Sequence, residues 1–239
     1  AQVLDEELNY ILDMGVDVRW NTPVTSMRAV LAEGHDAVYV GSGAPKGKNL
    51  EVPGRHDTDR IHIGIEWLSS VHFGHIKTIG ERVLIIGVGN TAMDCCRTSL
   101  RLGGKDIKVV ARRSRPHFKA SPWELEDAEE ELVEIVENHA PKRFVVEKGK
   151  LVGMEFERLR WMEALGKQRS EVIDTVTIPC DDVILAIGQD NAFPWIEREK
   201  DVGIAFDKND MPVVDRTTMQ STRGGVFFGG DSGWGRENI

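Results

Sequence analysis

The hexapeptide Gly87-Val88-Gly89-Asn90-Thr91-Ala92 follows the apolar run Val83-Leu84-Ile85-Ile86 and precedes a stretch, Met93 to Leu102, with helical spacing. In that position each small residue has a use. Gly87 permits a tight turn, Gly89 lets a pyrophosphate approach the backbone, and Ala92 lets the helix pack close to the strand. Free N–H groups at the helix start, with the helix dipole behind them, favour phosphate oxygens. A tight turn that holds nothing is the alternative, and the strand-turn-helix-strand context favours a dinucleotide.

A second apolar strand, Ile107 to Ala111, ends at Arg112-Arg113, with Arg115 and Lys119 close behind. A site selective for NAD usually presents an acid here to the ribose 2′-hydroxyl. A planar guanidinium suits a 2′-phosphate instead, through paired, charge-assisted hydrogen bonds. NADP(H) is therefore expected over NAD(H), and two solvated surface arginines are the alternative.

Other chemistry-bearing residues point nowhere comparable. His72 and His75 lie at i, i+3 with no carboxylate or thiol spaced to complete a metal site. Vicinal Cys95-Cys96 and Cys180 form neither a CxxC pair nor a metal-ligand spacing, so buried reduced thiols are expected. Asp94 reads as helix-start electrostatics. Trp67, Trp123, Trp161 and Trp195 read as core or interface aromatics, and Trp234 as a residue that could touch a ring-shaped ligand. No catalytic acid, base or nucleophile stands out, so any chemistry is expected to belong to cofactors.

The elements that position these residues follow from the pattern. Val3 to Met14 has helical apolar spacing ended by Gly15, and Val16 to Trp20 reads as a short strand. His35 to Ala44 is an apolar strand running into Gly41-Ser42-Gly43, and residues 45–60 are loop. Residues 61–80 are expected to hold one helix and a crossing segment. Residues 82–111 form a βαβ unit with parallel strands. Ser121-Pro122-Trp123-Glu124 is a capping box that starts a helix. From Val133 the period changes to two, with turns at Gly149-Lys150 and around Gly166, which predicts short strands and an antiparallel meander. Asp182 to Gln189 and Gly225 to Asp231 are buried strands ending in glycine. The chain has 239 residues and carries 30 Lys plus Arg against 39 Asp plus Glu, a net charge of −9. That balance argues against nucleic acid or an anionic membrane as the main partner, and the absence of a signal or an 18-residue apolar run predicts a cytoplasmic protein.

The motif order DAVYVGSGA (36–44), IIGVGNTAMD (85–94), ARRSR (111–115), DDVILAIGQ (181–189) and GVFFGGD (225–231) resembles the two-dinucleotide-binding flavoprotein class. Within it the chain is most similar to the small (beta) subunit of NADPH-dependent glutamate synthase and its relatives. The resemblance implies an α/β fold in which an NADP(H)-binding domain is inserted into an FAD domain. Residues 76–180 would be that insert, a parallel sheet with a glycine-turn βαβ unit plus an antiparallel meander, and 1–75 and 181–239 the FAD-domain segments. It assigns Gly87, Gly89, Asn90, Thr91 and Ala92 to the pyridine-nucleotide turn and Arg112 and Arg113 to the 2′-phosphate. Gly41 and Gly43 fall near the FAD phosphates, Gly188 closes the AIGQ strand, and Gly230 and Asp231 match the pair whose carboxylate bonds the flavin's ribityl chain. Hydride would pass from NADPH to FAD, and electrons onward to iron-sulfur clusters outside this chain.

Two features of the family pattern do not precede Ala1: a cysteine-rich iron-sulfur segment and the glycine loop for the FAD pyrophosphate. The helix expected after Asp231 is cut off at Ile239. The chain therefore reads as a piece that binds FAD poorly and is inactive alone. The partner implied is a large synthase subunit, or alternatively a ferredoxin or dehydrogenase electron-transfer partner with no glutamate made. A non-catalytic NADPH-binding module is a third possibility.

Overall fold

The computed structural model describes residues 2–164 and 167–234. In chain order the elements begin with helices α1 (Gln2–Leu12) and α2 (Met27–Ala32), strands β1 (Val38–Val40), β2 (Lys46–Gly47) and β3 (Ile61–Ile63), and helix α3 (Gly64–His72). Next come β4 (Arg82–Ile86), α4 (Asn90–Arg101), β5 (Asp106–Val110), α5 (Pro122–Glu130), β6 (Glu134–Val136), β7 (His139–Glu147), β8 (Lys150–Ala164) and β9 (Lys167–Pro179). The chain closes with β10 (Asp182–Leu185), β11 (Gln189–Asp190), β12 (Val226–Phe228) and α6 (Asp231–Trp234). It divides into two compact units, residues 44–192 and residues 2–43 with 193–234.

In the unit 44–192 a parallel sheet runs in the order β3-β10-β4-β5-β6. Its central strands β4 and β10 read as near-continuous apolar runs because both faces are covered. Along β4 the side chains alternate between two cores, as a period of two requires. Val83 and Ile85 pack with Trp67, Met93 and Leu125 from α3, α4 and α5. Leu84 and Ile86 pack with Phe144, Met154 and Phe156 from the antiparallel sheet β7-β8-β9. Two adjacent acids fasten the start of the sheet. Asp181 accepts from the Arg82 backbone N–H (3.0 Å) and guanidinium (2.6 and 3.1 Å). Asp182, 1% exposed, accepts from the Gly80 N–H (2.8 Å) and lies 3.0 Å from His62 Nε2.

The other unit pairs β1 with β12 in parallel, Val38 beside Val226 and Val40 beside Phe228. Its core gathers Met27, Val40, Phe193, Ile196, Val226 and Phe228, with Phe193 edge-on to Phe228 at 5.7 Å. Glu197 caps α2, accepting from the Met27 and Arg28 N–H groups at 3.1 and 3.2 Å.

Several expectations are corrected. Val16 to Trp20 forms no strand. Residues 61–80 hold strand β3 ahead of the one expected helix, α3, while Val133 to Val136 yields the expected short strand, β6, which joins the parallel sheet, and the later strands form the antiparallel meander. The turn at Lys148-Gly149 is present with both residues at positive φ, +51° and +77°, whereas the turn expected around Gly166 lies outside the described residues. Helix α5 starts at Pro122 as the capping box predicts, but Ser121 makes no side-chain cap, because its groups are held by Asn90. The parallel sheet also takes in β3 and β10, on either side of the 76–180 span.

Candidate dinucleotide-binding site

Strands β4 and β5 are parallel and in register, Ile86 beside Val110, so the segments leaving the two strands emerge at one sheet edge. From β4 come Gly87, Val88 and Gly89 and then the start of α4; from β5 come Ala111, Arg112 and Arg113. Gly87 has φ +119°, and a Cβ on it would lie 2.3 Å from the carbonyl oxygen of Ala186. The position admits only glycine, for a reason internal to the protein. Gly89 is different. Its φ is −105°, and a Cβ on it would meet nothing within 4 Å. Its small size is unused by the protein and leaves open space over the helix start.

Helix α4 begins without a side-chain cap and without an acid in its first turn. Ala92 and Met93 donate to the Gly89 carbonyl (2.9 and 3.3 Å), and among the described residues the N–H groups of Asn90 and Thr91 have no protein acceptor. Uncapped donors at the positive end of a 12-residue helix are able to hold an anion. Ala92 is fully buried against the sheet, as its small size requires. The side chains of Asn90 and Thr91 are occupied. The Asn90 amide bonds Ser121 in both directions, accepting from its N–H at 2.8 Å and donating to its hydroxyl at 3.3 Å. Thr91 Oγ1 accepts from Gln189 Nε2 at 3.4 Å. These two residues therefore offer a ligand their backbone, and their side chains tie the turn to the neighbouring loop and to the residue after Gly188. Gly188 has φ +115° and its carbonyl accepts from the Lys48 N–H at 2.9 Å, so it serves the link between β10 and β11.

The loop after β5 is drawn back to the glycine turn by two bonds, from the Lys119 and Ala120 N–H groups to the Val88 carbonyl at 3.1 and 3.0 Å. Its arginines differ in availability. Arg115 is ion-paired with Glu129. Arg112 and Arg113 are exposed, and among the described residues neither has an acidic partner. Arg113 donates to Gln168 Oε1 at 2.9 Å, and its guanidinium lies 4.6 Å from the centre of the Trp161 ring. That contact was not legible in the sequence, because Trp161 and Gln168 arrive on a distant hairpin.

The two cysteines of α4 are inert. Burial pushes the Cys96 thiol up to about 12 and that of Cys95 higher still, and Cys180 is likewise raised to about 12. All three are buried and free. Among the described residues no cluster of His, Cys, Asp or Glu suits a metal ion, and no helix is long and apolar enough to cross a membrane.

In the other unit, Gly41, Gly43, Gly230 and Asp231 are gathered where β1 and β12 end. Ser232, fully buried, accepts from the Gly43 N–H at 2.7 Å. Gly43 thus has its donor committed within the protein and offers no free amide to a phosphate. Gly230, at φ +56°, leads into α6, whose first residue is Asp231. The Trp234 ring is covered by Arg216, 5.1 Å from its centre.

The chain is 30% identical to the NADPH-Fe(3+) oxidoreductase beta subunit of Geobacter sulfurreducens, over 96% of this chain and 38% of that protein. It is 31% identical to the NADP(+)-dependent formate dehydrogenase beta subunit of Moorella thermoacetica, over 96% of this chain and 33% of the other. It is 30% identical to the glutamate synthase [NADPH] small chain of Halomonas elongata, over 95% and 50%. The chain therefore spans a third to a half of the length of these relatives. Among solved structures, FprA from Mycobacterium tuberculosis in complex with NADPH superposes with a TM-score of 0.72 at 16% identity, over 92% of this chain and 63% of that one, a likeness of fold. A family model for pyridine nucleotide-disulphide oxidoreductases matches residues 29–236, and on that match the chain belongs to the pyridine nucleotide-disulphide oxidoreductase family.

Proposed function

We infer that the chain carries the NADP(H) site of an NADPH-dependent flavin oxidoreductase. The observation that carries this reading is the shared edge of β4 and β5, where the start of α4 with its uncapped N–H groups follows one strand and Arg112 and Arg113 follow the next. The Asn90 and Thr91 N–H groups would hold the pyrophosphate, and the guanidiniums of Arg112 and Arg113 would hold the 2′-phosphate. The NADP(H)-binding domain is built around residues 76–180 together with β3 and β10 of the same sheet, and the remaining parts of 1–75 and 181–239 contribute to an FAD-binding domain. There Asp231 at the start of α6 supplies the acceptor for a ribityl hydroxyl, and Gly41 and Gly230 leave room beside it.

When bound, the nicotinamide would supply a hydride and FAD would accept it, chemistry that belongs to the cofactors. What the residues of this chain do is bind and orient. Gly87 sets the turn, Asn90 and Gln189 brace it, and the arginines select the phosphorylated ribose. Iron-sulfur clusters outside this chain would carry the electrons onward to a partner subunit. A second reading concerns that partner. Relatives named for ferric-iron reduction, formate oxidation and glutamate synthesis match with nearly equal identity, which favours a common electron-input module and leaves the acceptor to a ferredoxin or dehydrogenase partner as readily as to a large synthase subunit.

The test is Arg112→Ala with Arg113→Ala. Each charge-assisted contact contributes about 1.5–3 kcal/mol, so NADPH binding should weaken at least about tenfold per arginine while NADH binding changes little. An equal loss for both cofactors would show that the pair does not read the 2′-phosphate.

A further inference from the structure

The antiparallel sheet contains a segment that its own packing does not explain. Strand β7 pairs with β8 only from His139 beside Arg158 to Glu147 beside Lys150. Beyond Arg158 the β8–β9 pair continues alone, from Leu159 beside Val172 to Ala164 beside Lys167. Six residues at about 3.3 Å each make an arm of roughly 20 Å. A free two-stranded ribbon is marginal in water, so it needs a surface to rest on.

Its resting place is the loop after β5. The Trp161 indole N–H donates to the Arg112 carbonyl at 3.2 Å. The face of the same ring lies under the Arg113 guanidinium at 4.6 Å. Gln168, which pairs with Glu163 across the arm, accepts from Arg113 through Oε1 at 2.9 Å and reaches His117 Nε2 with its amide nitrogen at 3.2 Å. Trp161 thus fixes both the backbone of one arginine and the plane of the next, while Gln168 fills the guanidinium edge with a neutral oxygen. A neutral acceptor on an exposed guanidinium is a weak partner that a phosphate dianion outcompetes.

We propose that the β8–β9 arm is the cofactor-selectivity element of this protein: Trp161 is a positioning residue that holds Arg113 for the 2′-phosphate, and Gln168 keeps that guanidinium's place until the phosphate replaces it. This rests on the reading that Arg113 contacts the 2′-phosphate. A carboxylate at Gln168 would compete with the ligand, and loss of the indole would release the guanidinium to solvent.

The experiment is calorimetric titration of the 239-residue chain with NADPH and with NADH, taking the ratio of the two dissociation constants for wild type, Arg113→Ala, Trp161→Ala, Trp161→Phe and Gln168→Glu. Trp161→Ala should reduce the preference for NADPH about fivefold, the scale of a cation–π contact at an exposed site plus a lost anchor. Trp161→Phe, which keeps a ring under Arg113, should restore most of it, and Gln168→Glu should reduce the preference at least as much as Trp161→Ala. An unchanged preference in Trp161→Ala and Gln168→Glu, with Arg113→Ala reducing it, overturns the role of the arm and leaves the arginine reading standing. An unchanged preference in Arg113→Ala overturns both. Equal weakening of NADPH and NADH in Trp161→Ala also overturns the proposal, since Trp161 would then serve the adenine. If Trp161→Ala does not fold, the exposed Gln168→Glu decides the matter alone.

Discussion

The two glycines of the turn look alike in sequence and should behave oppositely when changed to alanine. At Gly87 the added Cβ would sit 2.3 Å from the Ala186 carbonyl oxygen, and φ is +119°. Non-glycine backbone in such a region costs about 1–3 kcal/mol. The Ala186 carbonyl is held where it is by its neighbours: the Ala186 N–H donates to the Ile86 carbonyl at 2.8 Å, so β10 cannot yield without breaking its pairing with β4. A total near 3 kcal/mol results, which for a chain of this size lowers the melting temperature by about 6–12 °C. At Gly89 the added Cβ meets nothing within 4 Å and φ is −105°. Gly89→Ala should therefore lose only a few tenths of a kcal/mol through a poorer helix start, yet weaken NADPH binding about tenfold or more, because the methyl group takes the space above the free N–H groups. Thermal melting followed by circular dichroism, with NADPH titration of each variant, separates the two. A Gly87→Ala protein that melts with wild type, or a Gly89→Ala protein that binds NADPH with wild-type affinity, would refute the assignment.

Buried and clamped groups lead to two further outcomes. Glu131 is held by Arg101 and Arg97, with contacts of 2.8, 2.9 and 3.0 Å, which lower its carboxyl to about 2. A depressed carboxyl stabilises the fold above its unfolded value of about 4.3 and loses that contribution as pH falls toward 2, so Glu131→Gln should flatten stability between those limits and leave the alkaline side unchanged; an unaltered acid limb in denaturant titrations would contradict the clamp. Burial raises all three thiols, Cys96 and Cys180 to about 12, so a disulfide reagent at pH 8 should label none of them in the native chain and all of them after denaturation, and prompt native labelling would show that the core around the labelled thiol opens.

What the sequence revealed and what it hid divides along the range of the interaction. The glycine turn, the apolar strands on either side of it and the edge where Arg112 and Arg113 emerge are consequences of local pattern plus parallel pairing. The roles of Asn90 and Ser121 are not. Ser121-x-x-Glu124 has the form of a capping box, but the Asn90 amide lies within hydrogen-bond reach of Ser121, and a partner 31 residues away takes the place of the local cap. The apolar spacing of α1 correctly signals a helix. It does not say where the face packs, and none of the residues of α1 is buried. Val16 and Trp20 are exposed, so the alternation that suggested a strand there had no sheet to join. The period of two after Val133 is clear in the residues. The 15- and 13-residue lengths of β8 and β9, and the landing of Trp161 on Arg112 and Arg113, depend on contacts about 50 residues apart that no spacing rule encodes.

The central claim is that this chain recognises the phosphate that distinguishes NADPH from NADH. Titration of the 239-residue chain with NADPH, NADH and FAD side by side, under one buffer and salt condition, tests it most directly. Saturable binding of NADPH at least about tenfold tighter than NADH, equivalent to about 1.4 kcal/mol, is the predicted result. Equal affinity for the two nicotinamide cofactors, or no binding of either, would contradict the account.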